Sequence, residues 1–437
     1  MIAQLGHAWK VEKTSNQLTS FAGLPLLTEL AHRSKLVADL DRLAGIWERN
    51  GKYRTSDYVL SLALTLITGG EGLDDTRLLK EDGGLQGWLW ESLPAPNSQG
   101  DFLRRFGRQA LCRMGRANAR QVRRLLARQR HERLTLDIDS SLIESDKKEA
   151  RKTYEGFDGY NPLLAWLDEP NVFLSGVFRS GNSSPQSHLR SLVGQCRKLL
   201  PEGTKLRVRA DSAAYRVDLM TYCLKHGMEF TITADLDVAV REAIDEIPEK
   251  KWQLVVRGEE TFLLAETIHV PGGCESRQRL PALRLIVKRT LSGQLELFKD
   301  PIKHHAVITN LPAQMSALEV LGHHNDRGRM EKAIEELKNG FGLDRLPCGT
   351  LMANAAYLQV CLIAYNLVQT FKSVALPEGW ERFKIKNLRF RLLCRAAKLV
   401  RHAGQTCMKL SRDFVYFDVF EQARWAVLAP SPVLPCG

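Results

Sequence analysis

Residues 134–139 have the sequence LTLDID, and its strict alternation of apolar and polar side chains indicates how the chain folds. In an extended strand the leucines and the isoleucine fall on one face, whereas Thr135, Asp137 and Asp139 fall on the other. The apolar face predicts burial against a core, and the polar face presents carboxylates. We therefore expect a core strand that ends at an acidic site.

A second stretch, KLRVRADS at 205–212, repeats this pattern and ends at Asp211. Helical and extended segments alternate around the two stretches, which predicts an α/β core. The other segments are the strands VFLSGVFRSG (172–181) and EFTITA (229–234) and the helices SHLRSLVGQCRKLL (from 187) and YRVDLMTYCLKHG (from 215). Because open α/β sheets form their sites at the carboxyl ends of strands, Asp139 and Asp211 are expected to meet.

The stretch HHNDRGRMEKAIEELKNGFG, at 323–342, is predicted to be one helix. At about 100° per residue, Arg327, Glu331 and Lys338 fall within roughly 40° of one another, beside an apolar stripe. One interpretation is a solvated face on which Arg327 and Glu331 form an i,i+4 pair, worth about 0.2–0.5 kcal/mol. The other is that Glu331 is a third acid of the predicted site.

Three carboxylates in one cleft repel one another unless a hard divalent cation neutralises them. Mg²⁺ prefers oxygen ligands and keeps water and phosphate oxygens in its shell. Two such ions about 4 Å apart activate a water or a 3′-hydroxyl and stabilise the leaving oxygen of a phosphoryl transfer. The sequence therefore predicts a site for two Mg²⁺ ions, with Mn²⁺ as a substitute, held by Asp139, Asp211 and Glu331.

The rest of the chain divides into segments that differ in composition and predicted secondary structure. Residues 1–130 are predicted to be helical and basic, and 131–235 with 306–375 to form the α/β core. Residues 236–305 contain WQLVV, TFLLAETIHV, ALRLIVKR and QLELF, which predict a β-rich insertion. The last segment, 376–437, is predicted to be helical and basic.

The composition indicates the partner and the compartment. The 437 residues carry a net charge of +12, which suits a polyanion such as nucleic acid. The nine cysteines include no C-x-x-C pair, so we expect no zinc site and a reducing cytosol. The N-terminus lacks the apolar core of a signal peptide, and the apolar run from 351 holds asparagine and glutamine. That run favours a buried helix over a membrane span, so no membrane partner is expected.

An arginine-dense segment follows the turn-rich LPAPNSQG at 93–100. Few acids are interleaved, which favours phosphate contact over salt bridges, although some of these arginines could instead pack on an acidic face. The arginines of this segment are Arg104, Arg105, Arg108, Arg113, Arg116, Arg120, Arg123, Arg124 and Arg128.

These motifs resemble those of a known family. The chain is similar to the DDE transposases of bacterial insertion sequences, in the group named Transposase DDE domain group 1. The family signature is Tyr, two residues, Arg, three residues, Glu, six residues, Lys, which His324, Arg327, Glu331 and Lys338 match except at the tyrosine. The resemblance covers roughly residues 20–405, and its other motifs are DIDSSLIES, YEGFDGYNPLLAW, RADSAAY, NGFGLDRLPCG and ANAAYLQVCLIAYNL.

The resemblance implies a ribonuclease H-like catalytic core interrupted by a β insertion. It also implies that Asp139, which precedes Ser140 and Ser141, is the first catalytic acid, with Asp137 as a supporting or surface acid. In the family, the Tyr, Arg and Lys of the signature help to hold DNA phosphates. A histidine in the tyrosine position can still donate a hydrogen bond, but adds charge only when protonated.

The tryptophan of the β-rich segment has two interpretations. In related transposases an insertion-domain tryptophan stacks on a base flipped out at the transposon end, and Trp252 is the candidate here. Alternatively, Trp252 packs the β layer, as most tryptophans pack in cores.

The function that the resemblance implies is cut-and-paste transposition by a bacterial, nucleoid-associated protein. The enzyme would bind the inverted-repeat ends of its element as a homodimer, cut a strand to leave a 3′-hydroxyl, release the element through a hairpin and join it to double-stranded target DNA. The rival hypotheses are a non-transposing nuclease with the same core and a catalytically silent DNA-binding descendant.

Overall fold

The computed structural model of the chain describes residues 9–46, 51–129, 131–258, 260–272, 280–291 and 302–429. Its strands are β1 (Leu18–Thr19), β2 (Arg133–Ser140), β3 (Ile143–Glu144), β4 (Arg151–Lys152), β5 (Asp158–Tyr160), β6 (Leu163–Leu167), β7 (Val172–Val177), β8 (Lys205–Ala210), β9 (Glu229–Thr233), β10 (Gln253–Arg257), β11 (Glu260–His269), β12 (Leu283–Leu291), β13 (Ile302–Thr309), β14 (Ala397–His402) and β15 (Gln405–Leu410). Its helices are α1 (Leu24–Arg33), α2 (Leu36–Leu43), α3 (Thr55–Thr68), α4 (Thr76–Lys80), α5 (Pro96–Arg104), α6 (Arg108–Arg128), α7 (Leu189–Leu199), α8 (Val217–Lys225), α9 (Val238–Asp245), α10 (Ala317–Asn325), α11 (Gly328–Gly340), α12 (Leu351–Ala375), α13 (Ile385–Leu388) and α14 (Phe417–Leu428).

The centre of the molecule is a mixed sheet with the order β10-β11-β12-β13-β9-β8-β2-β6-β7. β8 lies parallel to both β2 and β9, whereas β6 is antiparallel to β2 and to β7. Five strands in the order β7-β6-β2-β8-β9, of which only β6 runs against the other four, form a ribonuclease H-like core. The predicted α/β fold is confirmed.

The β-rich segment continues this sheet. β13 pairs antiparallel with β9, and β12, β11 and β10 follow outward as antiparallel neighbours. The segment QLELF at 294–298, also predicted to be a strand, lies outside the described residues. The strands of 236–305 therefore extend one edge of the core sheet.

Helix α12 is the centre of the helical layer and contacts α3, α6 and β7. It is long and apolar enough to cross a membrane, but 89% of its apolar window is buried within the protein, as the sequence predicted for a core helix. Gly69 ends α3 in a left-handed conformation (φ 107°), which glycine adopts without strain.

Two predictions of secondary structure are wrong. The stretch 323–342 is not one helix, because α10 ends at Asn325 and α11 begins at Gly328. Gly322, Asn325 and Gly328 have low helix propensity, so interrupting the helix here loses little stability.

The C-terminal region is also not purely helical. β14 and β15 form a hairpin whose turn residues, Ala403 and Gly404, both have positive φ. A two-residue turn of this kind matches the twist of the strands that it joins. β1 pairs with β14, so this hairpin ties the two ends of the described chain together.

Candidate active site

The two strand-borne aspartates lie side by side. In the parallel pairing of β2 with β8, Ile138 lies opposite Ala210, and Asp139 and Asp211 are the next residues on the two strands. The Asp139 carboxylate accepts the Ser140 N–H at 2.8 Å, and the Asp211 carboxylate accepts the Ala213 N–H at 3.1 Å. Local hydrogen bonds therefore orient both acids at the carboxyl edge of the sheet, as predicted.

One guanidinium connects these aspartates to Glu331. Arg327 Nη1 lies 3.5 Å from Asp139 Oδ2 and 3.9 Å from Asp211 Oδ2. Arg327 Nη2 lies 3.1 Å from Glu331 Oε1 in the first turn of α11. The three acids that the sequence singled out thus gather around a single cation.

The Asp139 carboxylate lies in an unfavourable environment for its charge, with 15% of the side chain exposed. Burial raises its pKa to about 6, the carboxylates of Asp211 and Glu331 act in the same direction, and Arg327 opposes them. A carboxylate with this environment is stabilised by any added cation.

The donor set fits a hard divalent cation, because it consists of carboxylate oxygens alone. In the described part of the chain, no three His, Cys, Asp or Glu side chains are spaced as a ready metal-ligand group. The Arg327 guanidinium lies between the acids instead, so a cation bound by all three would have to displace it.

Asp137 is distinct from Asp139 although the two share a strand face. Its side chain is fully buried and forms two hydrogen bonds with the Arg209 guanidinium, at 2.5 and 2.6 Å. Burial raises the pKa of Asp137, and the bonds from Arg209 lower it. Asp137 is thus committed to an internal ion pair, whereas Asp139 faces the cleft.

His324, expected to contact phosphate, is buried. Its Nε2 hydrogen-bonds with the Thr233 hydroxyl at 2.9 Å, and burial lowers its pKa to about 3. A neutral ring inside the core does not reach a phosphate, so the structure assigns His324 a packing role between α10 and β9. The sequence could not indicate this, because Thr233 lies in a strand far along the chain.

Trp252 is also buried, with 8% of the residue exposed. The Arg289 guanidinium covers its ring, 3.7 Å from the ring centre, and the ring belongs to the core cluster under the sheet. This arrangement favours the packing interpretation over stacking on a flipped base.

Lys338 lines a cleft of about 320 Å³ together with Asp139 and Glu331. Its Nζ donates to the Leu142 carbonyl at 3.0 Å and lies 3.4 Å from Asp344. A neighbouring cleft of about 500 Å³ shares Lys338 and Asp344. The lysine is therefore at the junction of two recesses beside the acids.

The predicted phosphate-binding arginines divide into two groups. Arg120 and Arg124 both form ion pairs with the buried Asp39 of α2, and Arg104 pairs with Asp101. Arg123 is exposed and has no acidic partner among the described residues. Arg105 is also exposed, and it interacts with another residue of the chain. Arg108, Arg113 and Arg116 are exposed on α6, as Arg123 is.

Arg120 and Arg124 therefore have a structural partner that the local sequence did not show, since Asp39 lies far upstream. The exposed arginines form a basic face on α6.

One exposed aromatic side chain near the acids had no predicted role. Tyr154, in the turn between β4 and β5, is 65% exposed. Its pKa is raised by partial burial first, then by the negative charges of Glu155, Asp139 and Asp211. The charges of Asp139 and Asp211 thus act on Tyr154, and only its presence in YEGFDGY could have drawn attention to it.

One known protein family matches nearly the whole chain. The family model described as Transposase DDE domain group 1 matches residues 4–430. No curated protein matches the chain. Among solved structures, a piggyBac transposase synaptic complex with hairpin DNA, determined by cryo-EM, is similar with a TM-score of 0.43 and 12% sequence identity, over 84% of this chain and 79% of that chain. A likeness of that degree is too loose to assign any residue of the site.

Proposed function

The chain belongs to the Transposase DDE domain group 1 family, and on that premise we propose that it is the cut-and-paste transposase of a bacterial insertion sequence. It cuts DNA strands at the inverted-repeat ends of its element, releases the element through a hairpin and joins the 3′-hydroxyls to double-stranded target DNA. Two copies act together on paired ends.

The gathering of Asp139, Asp211 and Glu331 around Arg327 is the observation that carries this proposal. Two Mg²⁺ ions, or Mn²⁺ in their place, held by these acids would activate the attacking oxygen and stabilise the leaving one. Asp139 and Asp211 supply ligands from rigid strands, and Glu331 supplies its ligand from a helix.

Arg327 has a second part in the reaction. Its planar fork binds carboxylates in the free protein and is equally suited to phosphate oxygens. With the acids holding a cation, Arg327 would be free to bind the phosphate beside the cut. Lys338, at the junction of the two clefts, adds a compact positive charge for the DNA strand that is cut. The exposed arginines of α6 extend this basic surface.

The experiment is strand cleavage on duplexes that carry the DNA flanking the gene, with Mg²⁺. Asp139→Ala, Asp211→Ala and Glu331→Ala are each expected to abolish cleavage and to leave binding of the ends largely intact. Glu335→Ala is the matched control, because Glu335 is an exposed acid one turn later on α11 that pairs with Lys384. It should cut at the wild-type rate.

The rival functions give different results. Cleavage by the wild type without joining to target DNA would indicate a non-transposing nuclease. Binding of ends without cleavage, in both Mg²⁺ and Mn²⁺, would indicate a silent descendant. Full cleavage by Asp139→Ala with loss in Asp137→Ala would refute the assignment of the first acid.

A further inference from the structure

A buried ion network lies directly behind the acids of the site. The fully buried Arg209 of β8 donates two hydrogen bonds to Asp137 of β2 and one, at 3.0 Å, to Asp168 after β6. Its Nη1 donates to the carbonyl oxygen of His323, in the last turn of α10, at 2.6 Å. Asp168 in turn lies 3.4 Å from Arg329 of α11. The Arg209 guanidinium thus joins β8, β2 and the end of β6 to α10, and through Asp168 the network reaches α11, which carries Glu331.

Asp137, Arg209 and Arg329 each lie two residues before an acid of the site. On a strand, residues i and i+2 share a face about 7 Å apart, so the Asp137–Arg209 pair forms the layer behind the two aspartates. On a helix, residues i and i+2 do not face the same way, so Arg329 points back to Asp168 while Glu331 faces the cleft. The network therefore touches every element that carries an acid.

The strands do not need this ion pair to stay together. β2 and β8 are already joined by a parallel ladder from Arg133 to Ile138. α10 is joined to the sheet by the His324–Thr233 hydrogen bond to β9, and its last carbonyls lack partners within their own helix. Arg209 adds a second link through the His323 carbonyl, and its other donors fix its position on β2. Through Asp168 and Arg329 the network also reaches α11, so Arg209 helps to fix Glu331 relative to the strands.

We propose that Arg209 is a positioning residue, which holds the strand-borne aspartates and Glu331 at the separation that a divalent cation needs. The inference rests on the proposed function, because it assumes that these acids bind the cation together. Groups that orient metal ligands from behind typically change metal affinity by about 10–100-fold when they are altered.

The experiment follows the melting temperature of the full chain during titration with Mn²⁺, for the wild type and two variants. Arg209→Lys keeps the charge but, as a compact ammonium, cannot span Asp137, Asp168 and His323. Its Mn²⁺ midpoint should rise roughly tenfold. Arg329→Gln, at the exposed end of the network, should raise the midpoint by a smaller factor of about three.

Two matched controls separate positioning from general effects. Arg207→Lys alters another arginine of β8, which pairs with Glu229 and, among the described residues, donates no hydrogen bond to α10 or α11. Lys332→Gln removes the same charge as Arg329→Gln from an exposed position on α11. Both controls should keep the wild-type midpoint, even if Arg207→Lys lowers the melting temperature without metal.

A lower melting temperature with an unchanged Mn²⁺ midpoint in Arg209→Lys would overturn the proposal, since the network would then be merely structural. If Arg209→Lys fails to fold, an unmoved midpoint in Arg329→Gln overturns it as well. Cleavage of DNA ends by Arg209→Lys should recover at raised Mn²⁺, as expected for weakened metal binding.

The same measurements keep the inference distinct from the proposed function. A wild type that binds Mn²⁺ but does not cut DNA ends would refute the transposase activity, and a shifted midpoint in Arg209→Lys would still support positioning. A wild type with no Mn²⁺-dependent change in melting temperature would overturn both.

Discussion

Replacing Asp139 with asparagine should stabilise the metal-free protein at neutral and alkaline pH. The Asp139 carboxyl has its pKa raised from 3.8 to about 6, first by burial. At about 1.4 kcal/mol per pKa unit, ionised Asp139 lowers the free energy of unfolding by about 3 kcal/mol. Asparagine has nearly the same shape and never ionises, so the variant escapes this loss.

The sign of the effect depends on pH in a defined window. Below pH 3.8 the carboxyl is protonated in both the folded and the unfolded chain, so the variant gains nothing. Between pH 3.8 and about 6 the unfolded chain ionises first, and the stability of the wild type falls. Above about pH 6 both states are ionised and the full difference is present. About half of it should therefore develop between pH 5 and pH 8.

Chemical denaturation of both proteins without divalent cations, at several pH values, measures this difference. Glu335→Gln is the control, because Glu335 lines the same cleft but is exposed and pairs with Lys384. Because its carboxyl is not buried, Glu335→Gln should not raise the free energy of unfolding as Asp139→Asn does. In Mg²⁺ the wild type should become the more stable of the two proteins, since binding to the native state stabilises only the chain that keeps its acids. A difference between Asp139→Asn and wild type that is constant from pH 5 to pH 8 would refute the reasoning.

Three further predictions concern residues around the site. Arg327→Gln should raise Mn²⁺ affinity without DNA, because a cation that competes for the acids is removed. It should weaken binding to cleaved DNA ends and reduce the dependence of that affinity on salt concentration by about one phosphate contact. An unchanged slope of affinity against salt concentration would contradict this. Trp252→Ala should lower the free energy of unfolding by about 3–5 kcal/mol in denaturant titrations, and a folded variant that cuts normally but forms no hairpin would restore base stacking. Asp39→Asn should cost about 1–3 kcal/mol of stability without changing affinity for DNA, whereas Arg123→Ala should weaken DNA binding and leave stability unchanged.

The strands that carry the aspartates were predictable because their signal is local. Each alternates apolar and polar residues over the length of one strand and ends in an acid. Parallel pairing then brings Asp139 and Asp211 together wherever the connecting segments run. The helix of Glu331 was predictable for the same reason, although its break at Asp326 and Arg327 was not.

The roles of His324, Arg120 and Arg124 depended on partners that are distant in sequence. The sequence around His324 does not indicate its hydrogen bond with Thr233, and the sequence around the two arginines does not indicate their ion pairs with Asp39. The same holds for Arg209, although its place two residues before Asp211 put it on the same face as that acid. Local patterns predict which face a side chain lies on, but only the tertiary structure determines what it meets there.

The order of the strands has a consequence for synthesis on the ribosome. β2 and β8 can pair as soon as both have emerged, yet α11 follows only after β10 to β13 have been made. α12, which packs on β7 and α6, follows later still. At about 5–20 residues per second, a nascent chain would carry both aspartates for roughly 6–24 s before Glu331 joins them. During this delay the nascent chain lacks the third carboxylate of the proposed site.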